Sequence, residues 1–155
     1  FNNTKVDYPK DKTIIDLFEE QVEKTPDNIA VVFEDQQLTY RELNQKANQL
    51  ARYLLNKNIK INNNIGILLP RSLNTIISML ATLKIGASYL LIDASLPEER
   101  INYMLSNSNS LALITDKTSN IIYKNTISLN DFSEELYGKE NLNIKVILGK
   151  KDKWV

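Results

Sequence analysis

Between Ile65 and Asp93 the apolar and polar positions spell out strand, turn, helix, stop and strand in succession. Ile65, Ile67, Leu68 and Leu69 form a short apolar run with turn residues on either side. Leu73, Ile76, Ile77, Leu80 and Leu83 then recur at the three- and four-residue spacing that lines one stripe of a helix. Ser72 is placed to accept a hydrogen bond from a free N–H at that helix's start. Gly86 ends the helix, because glycine enters the left-handed region without steric cost. Tyr89 to Ile92 is a second apolar run, which makes the stretch a βαβ crossover with its helix lying on a parallel sheet.

The pattern extends in both directions. Thr13 and Asp16 form a capping-box start for a first helix, with Ile14, Leu17, Phe18 and Val22 as its apolar stripe. Glu19, Glu20, Glu23 and Lys24 are expected to face water, and Pro26 ends the helix. Ile29 to Phe33 reads as a strand, the polar run 34–37 as a turn, and Leu38 as the return of a hairpin. Thr39 and Glu42 make a second capping box, opening a long helix from Tyr40 to about Asn56. Its buried side is predicted to carry Leu43, Ala47, Leu50, Ala51 and Leu54. Asn62, Asn63 and Asn64 form a turn. Pro97 is predicted at the first position of a further helix, with Glu98 and Glu99 at its positive end and Ile101, Met104 and Leu105 facing inward. Ser106 to Ser110 breaks that helix, and Leu111 to Thr115 is a third parallel strand. The region from Ile65 to Thr115 is therefore βαβαβ, an α/β fold. Beyond it, 121–123 and 126–129 read as short strands, and Asn130 as the cap of a brief helix over 131–136.

Composition narrows the chemistry. The 155 residues suit one domain or part of a larger one, and 43% hydrophobic content is enough to build a core. Basic and acidic residues balance at 19 each, so the basic excess of a nucleic-acid binder is missing. No apolar run approaches the roughly 20 residues of a membrane helix, and the polar opening FNNTKVDYPKDK is not expected to act as a signal peptide. A cytoplasmic setting is expected. Cysteine and histidine are both absent, which excludes disulfides, thiol catalysis, imidazole bases and the commonest zinc sites.

Two motifs carry a resemblance. Leu38–Leu43 (LTYREL) and Leu83–Asp93 (LKIGASYLLID) resemble the first and second core motifs of the amino-acid adenylation domains of nonribosomal peptide synthetases, within the adenylate-forming enzymes. The resemblance covers roughly residues 1–144. It departs at Leu91 and Ala94, where the family has proline. It implies an α/β unit, with its N-terminal helix and hairpin, belonging to the large N-terminal subdomain of such an enzyme. The expected division is a linker over 1–12, an incomplete adenylation domain over 13–145, and a non-family tail over 146–155. Composition alone fits a frayed terminus at 1–12 equally well. The complete family domain uses ATP and magnesium. Its partners are the remainder of the adenylation domain and the condensation and carrier-protein domains of the parent synthetase.

None of the family's reacting groups is matched in this sequence. The Ser/Thr/Gly-rich phosphate loop, the substrate-holding aspartate and the catalytic lysine are not encoded within it. No catalytic, cofactor-binding or metal-binding residue is assigned, and no cofactor is expected in this piece. Pro70-Arg71-Ser72 precedes a helix, where anions bind, but without glycines it reads as a cap, with Arg71 as an ion-pair partner. Asp93 ends a strand where α/β folds hold ligands, yet a turn-capping role explains it. The pairs Glu19/Glu20, Glu98/Glu99 and Glu134/Glu135 do not face one another on helices and read as solvated faces. The first residue, Phe1, and the ending VILGKKDKWV suggest a trimmed or interrupted piece. The alternative reading is a non-catalytic interaction or dimerisation module, self-associating through an exposed sheet edge. An independent nucleotide-binding protein is disfavoured for want of a glycine-rich loop.

Overall fold

The computed structural model describes residues 12–129. The expectations for residues 1–11, the helix over 131–136, the pair Glu134/Glu135 and the tail over 146–155 lie outside the described residues.

The chain enters through helix α1 (Ile14–Lys24). Its start is the expected capping box: the Asp16 N–H donates to Thr13 Oγ1 and the Thr13 N–H to the Asp16 carboxylate, each at 3.0 Å. Phe18 packs against the core, whereas Ile14 in the first turn is 64% exposed. Periodicity identifies a stripe but not how far along the helix a neighbour covers it.

A two-stranded antiparallel hairpin follows, β1 (Ile29–Phe33) and β2 (Gln36–Thr39). The turn is shorter than the sequence suggests. Gln36 and Gln37 pair with Phe33 and Val32, and Glu34 takes a φ of 55°, the left-handed conformation that a two-residue hairpin loop requires. Helix α2 (Tyr40–Asn56) opens on the second capping box, in which the Glu42 N–H donates to Thr39 Oγ1 at 3.1 Å. The Thr39 N–H donates to the Glu42 carboxylate at 2.9 Å. All five residues expected on its inner face are buried.

Four parallel strands form the main sheet: β3 (Asn64–Ile67), β4 (Ser88–Leu91), β5 (Ala112–Thr115) and β6 (Thr126–Ser128), in the order β4-β3-β5-β6. Asn64 is thus a strand residue rather than part of the turn, and its side-chain amide donates to the Ser108 carbonyl at 2.8 Å. Residues 121–123 are not a strand. The Ile121 and Tyr123 N–H groups go to the Ser119 and Thr126 hydroxyls instead of a neighbouring strand.

Helix α3 (Leu73–Lys84) joins β3 to β4, and helix α4 (Glu98–Asn107) joins β4 to β5. Successive strand residues point to opposite faces, and the two helices use opposite faces. Ile65, Ile67 and Ile114 pack with Ile77 and Ala81 of α3. Leu68 and Leu113 pack with Ile101 and Leu105 of α4. Right-handed crossovers running in opposite directions from the sheet require this two-sided arrangement.

The buried face of α3 differs from the leucine stripe. Ile77, Ser78, Ala81, Thr82 and Lys84 are buried, while Leu73, Ile76 and Leu80 are only partly so. α3 lies between the sheet and α2. Small buried residues on both helices, Ala47 and Ala51 on α2 and Ser78 and Ala81 on α3, keep the layer thin. The helix stops as expected. Gly86 has a φ of 79°, its N–H donates to the Leu83 carbonyl at 3.0 Å, and the Ala87 N–H donates to the Thr82 carbonyl at 3.1 Å. These two bonds make a Schellman motif. Pro97 is the N-cap of α4 rather than its first helical residue. Its ψ of 149° is extended, so the helix begins at Glu98.

Gly66 lies at the centre of β3. A Cβ there would stand 2.5 Å from Leu105 Cδ2 and 3.2 Å from Leu113 Cδ1, and both side chains are fully buried. Gly66→Ala is expected to lower unfolding free energy by about 1–3 kcal/mol through overpacking, read as a lower urea midpoint. An unchanged midpoint would mean that α4 does not approach β3 this closely. Gly86→Ala should cost roughly 1–2 kcal/mol because alanine is strained at that φ.

Candidate functional site

The loops after β3, β4 and β5 meet at the C-terminal end of the sheet. The chain runs from β3 outward to β4 and then back across to β5, so the switch point falls between β3 and β5. Open α/β sheets hold ligands in the crevice at that place. Here it is a depression of about 190 Å³, floored by Leu68, Ile101 and Ile121 and rimmed by Glu98, Thr118 and Asn120. That is smaller than the roughly 300 Å³ at which small-molecule pockets begin. Among the described residues, no cation lines it.

Each loop is wired to itself. Asp93 is exposed, and its Oδ1 accepts from the Ser95 N–H at 2.9 Å and the Ser95 hydroxyl at 2.8 Å. The Ser95 N–H first, and the Ser95 hydroxyl second, hold the Asp93 carboxyl below the ordinary carboxylate range. The turn-capping reading of Asp93 is the one observed. Asp116 repeats the device after β5, accepting from the Thr118 N–H at 2.9 Å.

The loop after β3 departs from expectation at two residues. Ser72 makes no side-chain cap. Its hydroxyl donates instead to the Pro70 carbonyl at 3.0 Å, as does that of Thr75 at 3.1 Å. Arg71 is exposed and makes no ion pair among the described residues, since no carboxylate is brought beside it. Glu98 and Glu99 are exposed in the first turn of α4, as expected.

One acidic residue read as solvated is not. Glu19 turns inward and pairs with Lys84, whose side chain is completely buried. Lys84 belongs to the Leu83–Asp93 motif, yet spacing alone gave it no partner, because Glu19 is 65 residues away. Among the described residues, no group of three or more acidic or other ligating side chains could hold a metal ion. Nor is any helix among them long and apolar enough to cross a membrane.

A parallel sheet wound on both faces, with a helix-and-hairpin entry and a switch-point crevice, defines a doubly wound α/β scaffold. The model of the AMP-binding enzyme family matches residues 18–151. The chain belongs to that family, and within it corresponds to the N-terminal portion of a nonribosomal peptide synthetase adenylation domain.

Gramicidin S synthase 1 of Brevibacillus brevis is 52% identical over 75% of this chain and 11% of its own length. Bacitracin synthase 2 of Bacillus licheniformis is 47% identical over 92% of this chain and 5% of its own. This chain therefore spans about a tenth or less of these relatives. Among solved structures, the N-terminal subdomain of Klebsiella oxytoca NpsA in complex with anthranilyl-AMSN is 29% identical with a TM-score of 0.75. That match covers 89% of this chain and 36% of NpsA's. The synthetase FmoA3 shares the fold, with a TM-score of 0.81 at 20% identity over 94% of this chain and 17% of that one.

The depressed Asp93 pKa has a consequence for the loop after β4. A carboxyl lowered on folding contributes stability that is complete above its ordinary value and is lost as pH falls through the lowered one. An NMR titration of the Asp93 carboxyl is expected to give a midpoint below the ordinary aspartate range. Ser95→Ala removes the hydroxyl and keeps the N–H, so it should raise that midpoint only part of the way. Equal midpoints in the two proteins would mean that the Ser95 hydroxyl does not reach the carboxylate, and an ordinary midpoint in the unaltered protein would contradict the turn.

Proposed function

We propose that this chain supplies the opening scaffold of a domain that activates an amino acid as its aminoacyl adenylate, and that by itself it forms none. The activity concerned joins an amino-acid carboxylate to the α-phosphate of ATP, releasing pyrophosphate. The observation that carries the reading is the fate of the motif Leu83–Asp93. Gly86 closes α3, Tyr89 and Ile92 join the cores, and Asp93 caps a turn. Every one of these roles is architectural.

The residues present do not fit ATP and magnesium. Developing charge on a transferring nucleotide needs positioned cations and N–H donors. The switch-point depression offers one carboxylate, hydroxyls and an amide, with no cation among the described residues. The four glycines of the chain, at 66, 86, 138 and 149, are too dispersed for a phosphate loop. No reaction step through the nucleotide follows from these side chains. The partners this reading implies are the remainder of the adenylation domain and the condensation and carrier-protein domains, in the cytoplasm.

A second reading, a non-catalytic interaction or dimerisation module, is favoured by β4. It is an edge strand among the described residues, its sequence Ser88–Leu91 has neither charge nor proline, and Leu91 is 46% exposed. Edges without such protection pair with other strands.

Amino-acid-dependent exchange of pyrophosphate into ATP is expected to stay at background for the chain alone. Exchange above background would contradict the scaffold reading. A monomer by light scattering at high concentration would remove the dimerisation reading.

A further inference from the structure

Helix α1 is held to the rest of the molecule in an unusual way. None of its residues is fully buried, although Phe18 packs against the core, so apolar burial anchors it less than it anchors α2 or α3. Among the described residues, two of its contacts with other helices stand out. The Phe18 ring lies 6.1 Å from that of Tyr40, tilted by 42°. The Glu19 carboxylate reaches the Lys84 ammonium, whose side chain has no solvent exposure, while that of Glu19 keeps 21%.

Lys84 sits in the last turn of α3, directly before the Schellman turn at Gly86. The negative end of the helix favours a cation there. The ammonium also lies 5.8 Å from the centre of the Phe18 ring, within the range of a cation–π contact. Two of the three groups that compensate the buried charge, Glu19 and Phe18, thus belong to α1. If α1 leaves, water replaces both.

We infer that Glu19 and Lys84 form a latch which dictates where α1 docks while adding little to how firmly it is held, so that α1 is the releasable element of this fold. A buried ion pair recovers by attraction about what both charges lose in hydration, whereas a buried charge without its partner recovers nothing. Correct docking and full release therefore lie close together in free energy, and docking in a shifted register is the state that is penalised. Burial acts the same way on Lys84 itself. Desolvation lowers its pKa, and the hydrogen bond and charge of Glu19 only partly offset this. An apolar anchor would behave differently, holding α1 tightly but tolerating sliding. This inference does not depend on the proposed function.

Native-state amide hydrogen exchange on the whole chain tests the latch. In the unaltered protein, α1 amides are expected to exchange at least tenfold faster than those of α2 and β3, through an opening that leaves the sheet intact. Glu19→Gln removes the anion and leaves the ammonium buried. It should speed α1 exchange by a further tenfold or more without altering β3. The double variant Glu19→Leu/Lys84→Met replaces both charges with apolar groups and should slow α1 exchange below that of the unaltered protein. Both charges are replaced together because Lys84→Met alone leaves the Glu19 carboxylate against an apolar group with its cation gone. The latch is overturned if α1 and β3 exchange together in the unaltered protein. It is equally overturned if Glu19→Gln leaves α1 protection unchanged, or if the double variant is less protected than Glu19→Gln.

Discussion

Burial of β3 on both faces is the constraint from which the rest of the structure follows. Its residues alternate between two cores, Ile65 and Ile67 on one side and Gly66 on the other, the side that Leu68 joins just past the strand's end. Both of its edges are hydrogen-bonded, to β4 and to β5. No polar side chain can stand in the middle of such a strand without losing its water. The two helices that cover it must approach closely, and they do so through different means. α4 presses Leu105 into the space left by the missing side chain of Gly66, while α3 presents Ile77 and Ala81. Burying each leucine or isoleucine of this kind contributes about 1.5–3 kcal/mol.

Around that centre, local chemistry sets the helix limits and tertiary packing sets their faces. Thr13 and Thr39 each open a helix with a reciprocal bond to an acid three residues on, and Gly86 closes one. These devices act within a few residues and operate wherever the helix sits. The buried face of α3, by contrast, is decided by its two neighbours. Placed between the sheet and α2, it buries Ser78 and Thr82, and Thr82 satisfies its hydroxyl on the Ser78 carbonyl at 2.8 Å.

The same division explains what could be read from the sequence. Both capping boxes, the Gly86 stop, the bounds of α2 and the βαβαβ run from 65 to 115 are legible, because each rests on spacings of two to four residues. The turn role of Asp93 is legible for the same reason, its partner Ser95 being two positions away. The strand order β4-β3-β5-β6 is not, since spacing alone does not say which strands become neighbours. Nor is the inward turn of Glu19 legible, because a carboxylate on the polar side of a helix looks solvated until Lys84 is brought to it. Arg71 fails in the opposite sense. A cation beside a strand end invites an ion pair, and the fold places no described carboxylate within reach.

Gly86, Tyr89, Ile92 and Asp93, the conspicuous residues of the Leu83–Asp93 motif, are spent on packing and turns. That places the informative measurement in the sheet rather than at a ligand. Resolved amide exchange of the chain is expected to show the Ile65–Ile67 amides as the slowest of all, opening only with global unfolding. If those amides exchange as fast as the loop over 116–125, β3 is not the buried centre of this molecule and the account built around it is wrong.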